Sequence, residues 1–127
     1  MTIHLIEDDG IYAEFIKRSL AQNSAYKIVI FPSAEDCQKV LNSGQFPDAF
    51  IADYGLPGIS GIDLYDDVRG KLKPENKFIM MSALDDGNLV LSFIKKGVRD
   101  YVIKDDTVIE SLKAILEGNE DEYYLFN

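Results

Sequence analysis

Five side chains that can do chemistry fall at one kind of position in this sequence, at or directly after the end of a short apolar run. Glu7 and Asp8 follow the run at 3–6, and Asp53 closes the run Ala49–Asp53. Ser82 closes Lys77–Ser82, and Lys104 closes 101–104. A single acidic residue in such a place is most simply a cap on the next helix. Three carboxylates gathered at one edge are different. At intermediate dielectric, ionised carboxylates a few ångströms apart repel strongly, and they stay together only if protons or a cation compensate. Oxygen-only donors suit Mg²⁺, which binds through one or two carboxylates, waters and a phosphate oxygen. An ammonium group and a hydroxyl at neighbouring strand ends would then complete a site able to hold a phosphoryl group by its peripheral oxygens.

The elements that must bring these residues together are legible from the spacing of apolar residues. The strands predicted at 3–6, Lys27–Phe31, Ala49–Asp53, Lys77–Ser82 and 101–104 are nearly continuous apolar runs, as expected when helices cover both faces of a sheet. Helical patterns alternate with them. In the first, Ile11, Phe15, Ile16 and Leu20 share a face, with Asp9 as the expected cap. In the second, Ser33 and Asp36 mark the start, and Cys37, Val40 and Leu41 form the apolar stripe. A third helix is predicted over 61–72, with Ile62, Tyr65, Val68 and Leu72 on one face. Leu89, Val90, Phe93 and Ile94 mark a fourth, stopped at Gly97. Thr107 and Glu110 read as a capping box opening a fifth, which runs to Gly118. Strict alternation without Gly-rich linkers gives one doubly wound α/β domain over 1–118, and the acidic, then aromatic segment 119–127 is a tail or the start of a linker.

Bulk properties narrow the function classes. The 127 residues suffice for one core. A formal net charge of −9 argues against nucleic-acid binding by this chain and suits a site that gathers a divalent cation or meets a basic partner. One Cys and one His make a structural zinc site a poor expectation, and the lone Cys fits a reducing cytoplasm. No apolar run approaches the roughly 20 residues needed to cross a membrane.

With these marks in order, the chain resembles the response-regulator receiver family of two-component signalling, including its stand-alone chemotaxis type. The resemblance covers the chain up to Gly118. It rests on Glu7-Asp8, on Asp53 followed by Leu56, Pro57, Gly58 and Gly61, on Ser82-Ala83, and on Gly97, Asp100, Tyr101 and Lys104. It implies a flavodoxin-like (βα)5 three-layer sandwich with strand order 2-1-3-4-5 and a site beside the switch point between strands one and three. By this resemblance Asp53 is the phosphoacceptor. Glu7, Asp8, Asp53 and the backbone carbonyl of Gly55 hold Mg²⁺, with Mn²⁺ as a substitute. Lys104 pairs with the phosphoryl oxygens, Ser82 swings toward them, and Tyr101 is the switch aromatic. Pro57, Gly58 and Ala83 support the loops. The partners implied are a sensor histidine kinase or histidine phosphotransfer protein, a downstream effector protein or C-terminal effector domain, and a phosphorylation-dependent homodimer. The readout surface implied is the fourth helix, fifth strand and fifth helix. The domain assists its own phosphorylation and dephosphorylation, and is not an enzyme with turnover.

Competing functions are weighed on single residues. A phosphohydrolase with an Asp nucleophile needs a second Asp two residues on as general acid; Gly55 stands there. A receiver-like module that works without phosphorylation would tolerate loss of the nucleophile, the acidic pair or the lysine, and all are present. A flavin carrier of the same fold would need a Ser/Thr-rich phosphate loop after the first strand. Elsewhere, His4 and Cys37 read as structural. Lys95-Lys96 reads as a solvated face of the fourth helix or as part of a partner surface, Asp66-Asp67 and Asp85-Asp86 read as exposed charges, and Phe15 reads as core or as part of a docking face for a kinase or helix bundle.

One departure from the family is specific. Pro usually follows the strand-five lysine, often after a cis bond; here Asp105 does. A cis bond before a non-proline residue costs about 2.5–4 kcal/mol. Asp105→Pro is expected to change acyl-phosphate lifetime or the switch equilibrium; equal lifetimes and partner affinities in variant and parent would refute this.

Overall fold

The computed structural model describes residues 1–84 and 86–118; Asp85 and the segment 119–127 lie outside the described residues. Five strands form one parallel sheet: β1 (Thr2–Ile6), β2 (Lys27–Phe31), β3 (Ala49–Asp53), β4 (Lys77–Ser82) and β5 (Asp100–Ile103), in the order β2-β1-β3-β4-β5. The helices are α1 (Gly10–Leu20), α2 (Ala34–Asn42), α3 (Gly61–Val68), α4 (Gly87–Lys96) and α5 (Val108–Leu116).

Strand periodicity divides the core into two layers. Ile3 and Leu5, Ala49 and Ile51, and Ile79 and Met81 face α1 and α5, meeting Ala13, Ile16, Leu20, Leu112 and Ile115. Their neighbours Ile6, Phe50, Ala52, Phe78 and Met80 face α2, α3 and α4, meeting Cys37, Leu64, Val68 and Phe93. Both faces are covered, which is why the strands read as unbroken apolar runs. Because α1 leaves β1 toward one face and α3 leaves β3 toward the other, a crevice opens at the carboxyl ends of β1 and β3.

Helix starts follow local side-chain chemistry. Asp9 accepts the N–H groups of Ile11 and Tyr12 at 3.0 and 3.1 Å, and Ser33 accepts that of Asp36 at 3.1 Å. The capping box expected at Thr107 and Glu110 is absent. The Thr107 hydroxyl and N–H both donate to Asp105 Oδ1, at 2.8 and 2.9 Å, so Asp105 organises the turn instead. A true capping box opens α3, where Ser60 accepts Asp63 N–H and Asp63 accepts Ser60 N–H.

Several face and boundary expectations are corrected. Ile11 and Phe15 share helical spacing with Ile16 and Leu20, but they are 87% and 48% exposed, and Ala13 completes the buried stripe. The third helix ends at Val68 and tightens into a 3-10 turn at Arg69–Lys71 before the extended Leu72. Of the residues marking α4, Phe93 is buried, whereas Ile94 is exposed. No peptide bond among the described residues is cis, so Lys104–Asp105 is trans.

His4 and Cys37 are structural, as expected. His4 is buried, with Nδ1 3.6 Å from Cys37 Sγ and Phe31 and Phe50 edge-on to its ring. Burial pushes the His4 pKa below its ordinary value and the Cys37 thiol up to about 12. A base with a depressed folded pKa binds fewer protons in the folded state, so its contribution weakens as pH falls below the unfolded value of about 6.5. The parent is therefore expected to lose urea-unfolding stability relative to His4→Gln between pH 7.5 and 5.5, and identical slopes would refute this.

Candidate functional site

Strand register brings the chemistry-bearing residues level. Ile6 pairs with Ala52, so Glu7 and Asp53 come side by side one residue further on. Ser82 pairs with Ile103, and the Lys104 N–H donates to Ser82 O at 2.8 Å. Glu7 N–H donates to Phe31 O at 3.0 Å, which extends the β1–β2 ladder through the acidic residue. Glu7, Asp53 and Ser82 are buried, Lys104 is half-buried and Asp8 is exposed. One carboxylate oxygen from each of Glu7, Asp8 and Asp53 lies within 4.8 Å of the other two.

The electrostatics follow from this crowding. The Lys104 ammonium donates to Glu7 Oε1 and lies 3.3 Å from Asp53 Oδ2. Burial pushes the Glu7 pKa up to about 7, against the opposing pull of the Lys104 hydrogen bond and the Asp9 N–H; the Asp53 charge adds to the rise. Burial by itself would lower the Lys104 pKa, but Glu7 and Asp53 outweigh it and raise the value. Three converging hard oxygen donors, one reaching solvent through Asp8, match the donor chemistry of Mg²⁺. The residues present therefore fit such an ion.

The Asp53 carboxylate is held by its own loop. Gly55 N–H donates to Asp53 Oδ1 at 3.2 Å, and Tyr54 N–H donates to Met81 O at 2.8 Å. Leu56 is buried beneath the loop, Pro57 is exposed, and Gly58 turns the chain at a φ of +72°. Ser82 Oγ accepts the Leu84 N–H at 3.0 Å across the exposed Ala83. Tyr101 is half-buried against the α2–α4 side of the core.

The packing roles of three residues come from the fold: Gly61, which the sequence marks only by its place after Asp53, and Tyr54 and Tyr12, which it does not single out. A Cβ on Gly61 would lie 2.5 Å from the backbone oxygen of Asp53 and 3.0 Å from Met80 Sδ, so this glycine lets α3 approach the acidic strand end. The Tyr54 ring packs on Phe93 of α4 with centroids 5.3 Å apart, linking the residue after Asp53 to that helix. The Tyr12 ring lies under the Lys104 ammonium. A sequence signal for Tyr12 exists in retrospect: it lies three residues after the Asp9 cap, in the helical turn nearest the acidic pair.

Residues 3–117 match the family model described as the response regulator receiver domain. The chain belongs to this family. Over 91% of its length the receiver is 26% identical to the transcriptional regulatory protein DegU of Brevibacillus brevis, of which it covers 50%. Over 86% it is 27% identical to the chemotaxis protein CheY of Listeria monocytogenes, of which it covers 93%. The BeF3-activated N-terminal receiver domain of Klebsiella pneumoniae RstA superposes with a TM-score of 0.81 at 25% identity, covering 94% of this chain and 97% of that one. The receiver spans about half the length of several curated relatives, DegU among them. Among the described residues, no helix is long and apolar enough to cross a membrane.

Overpacking a close approach costs about 1–3 kcal/mol. Gly61→Ala is expected to lower unfolding stability by about that amount, whereas Gly10→Ala, whose added Cβ meets nothing within 4 Å, is expected to leave it unchanged or slightly raised. Equal denaturant midpoints for the two variants would contradict the packing argument.

Proposed function

We propose that this receiver accepts a phosphoryl group on Asp53 from a histidine kinase or a histidine phosphotransfer protein, in a Mg²⁺-dependent reaction. The supporting observation is the Asp53 carboxylate itself: buried at the crevice, 3.3 Å from the Lys104 ammonium and grouped with two further carboxylates. Glu7, Asp8, Asp53 and the Gly55 carbonyl are the groups that would hold Mg²⁺ or Mn²⁺. Bound there, the ion supplies positive charge against the phosphoryl oxygens.

Phosphoryl transfer to a carboxylate needs an in-line nucleophile, neutralisation of charge on the equatorial oxygens, and little else. An Asp53 oxygen attacks phosphorus, the bond from phosphorus to the donor nitrogen breaks, and the nitrogen leaves with its electron pair. Lys104 turns from the Asp53 carboxylate toward the arriving oxygens. Gly55 N–H keeps the carboxylate oriented in the resting state. Gly55 also stands where a hydrolase would carry its general acid, so the domain stores the phosphoryl group instead of turning over a substrate.

The new group adds about −1.5 to −2 charge at neutral pH. Its oxygens attract the Ser82 hydroxyl away from the Leu84 N–H, and the Tyr101 ring takes the vacated space. The surface formed by α4, β5 and α5 carries the change to an effector protein, an attached effector domain or a second copy of the domain. In this reading the domain acts in the cytoplasm beside its kinase and does not itself contact nucleic acid, consistent with its charge of −9.

Incubation with acetyl phosphate and Mg²⁺ is expected to give a phosphoryl adduct by intact mass in the parent and none in Asp53→Asn. Absence of a Mg²⁺-dependent adduct in the parent, together with no binding of beryllofluoride, would overturn the proposal in favour of a module that works unphosphorylated.

A further inference from the structure

The Lys104 ammonium has a third neighbour besides Glu7 and Asp53. Its Nζ lies 4.7 Å from the centroid of the Tyr12 ring. That is inside the roughly 6 Å reach of a cation–π contact. The Lys104 side chain is only 16% exposed, and such a contact strengthens as water is excluded.

Tyr12 is fixed by the same groups that hold the lysine. Asp9 Oδ1 accepts the Tyr12 N–H at 3.1 Å, and the Asp9 N–H donates to Glu7 Oε2 at 3.2 Å. The other Glu7 oxygen accepts from Lys104. Glu7 thus anchors both the ammonium and the helical turn that carries the ring. Phe15, with its ring centroid 5.8 Å away, supports Tyr12 from the next turn.

The three contacts on Lys104 differ in how they fare during the reaction proposed above. The Glu7 and Asp53 carboxylates are also the donors a divalent cation would take, so their hold on the ammonium weakens when the site is loaded. The ring is uncharged and is not among the carboxylate donors grouped at the site. We infer that Tyr12 is a positioning residue for Lys104: its ring keeps the ammonium over the site while the carboxylates are otherwise engaged. This rests on the proposed chemistry at Asp53 and adds a residue to it. A Leu or Met side chain keeps apolar bulk at position 12 but has no π face, whereas Phe keeps the face and loses only the hydroxyl.

The test uses Tyr12→Phe, Tyr12→Leu and Tyr12→Met, with thermal unfolding to select a folded non-aromatic variant. With acetyl phosphate and Mg²⁺, Tyr12→Phe is expected to react within twofold of the parent. The non-aromatic variants are expected to react roughly three- to thirty-fold more slowly, from the usual strength of a partly desolvated cation–π contact. Their half-saturating Mg²⁺ concentration is expected to stay at the parent value, because the carboxylates are untouched. Without any phosphodonor, the ring current of Tyr12 is expected to displace the Lys104 ε-methylene proton resonances; Phe retains the displacement and Leu or Met abolishes it. Parent-like rates in folded Leu or Met variants, or ε-methylene resonances that do not respond to losing the ring, would overturn the inference. Failure of the parent to form any adduct would instead sink the proposed reaction, and the resonances would still decide whether Tyr12 holds Lys104.

Discussion

An ammonium group sits between two carboxylates at the carboxyl edge of the sheet, and one of the carboxylates is almost wholly withdrawn from water. Glu7 is 1% exposed, and its partner Lys104 is also the nearest cation to Asp53. Burying an unpaired carboxylate is costly enough that the group protonates instead, which is the direction in which Glu7 is pushed. The site therefore depends on Lys104 reaching across from the end of β5 to the end of β1. That reach in turn depends on strand order, because β3 and β4 lie between the two strands and their ends must leave the path open.

Much of the surrounding structure is arranged to keep that edge compact. The absence of a side chain at Gly61 lets the first turn of α3 lie against the Asp53 backbone. The Ser60–Asp63 capping box fixes where that turn begins. On the opposite face, the Asp9 cap ties α1 to Glu7 and places Tyr12 beneath the lysine. The packing of Tyr54 on Phe93 joins the loop after Asp53 to α4, whose outer side exposes Leu91 and Ile94. The loop after Asp53 thus meets α4 directly through an aromatic contact.

The step after Lys104 shows how a family habit can be replaced by different chemistry. Asp105 N–H donates to Ile103 O at 2.9 Å, a bond no proline could make, while its carboxylate binds the N–H and hydroxyl of Thr107. Those bonds hold the Asp105 pKa below the usual carboxylate range, so the negative charge persists in this turn under ordinary conditions. Thr107 stands at the N-cap position of α5, as its place before the apolar stripe implies, but its hydroxyl donates to Asp105 instead of accepting a helix N–H, so the Asp105 carboxylate organises the turn.

The order of elements, the parallel sheet and the five polar strand ends were all legible in the linear sequence. Apolar runs bounded by polar residues report burial on both faces, and a strand end is fixed once its run is recognised. Two kinds of fact were not. Ile11, Phe15 and Ile94 follow helical spacing as well as their buried neighbours do, yet they face solvent, because spacing defines a stripe but not how wide a stripe the sheet covers. The ring of Tyr12 under Lys104, the Gly61 approach and the Tyr54–Phe93 contact join residues from separate elements, and their distances are set by register and helix packing. The sequence by itself determined which groups stand at the sheet edge, since that follows from local periodicity. Only the tertiary structure decided that Lys104 pairs with Glu7 as well as Asp53 and rests on Tyr12, because an ammonium on a flexible stem takes its partners from whatever folding brings within reach.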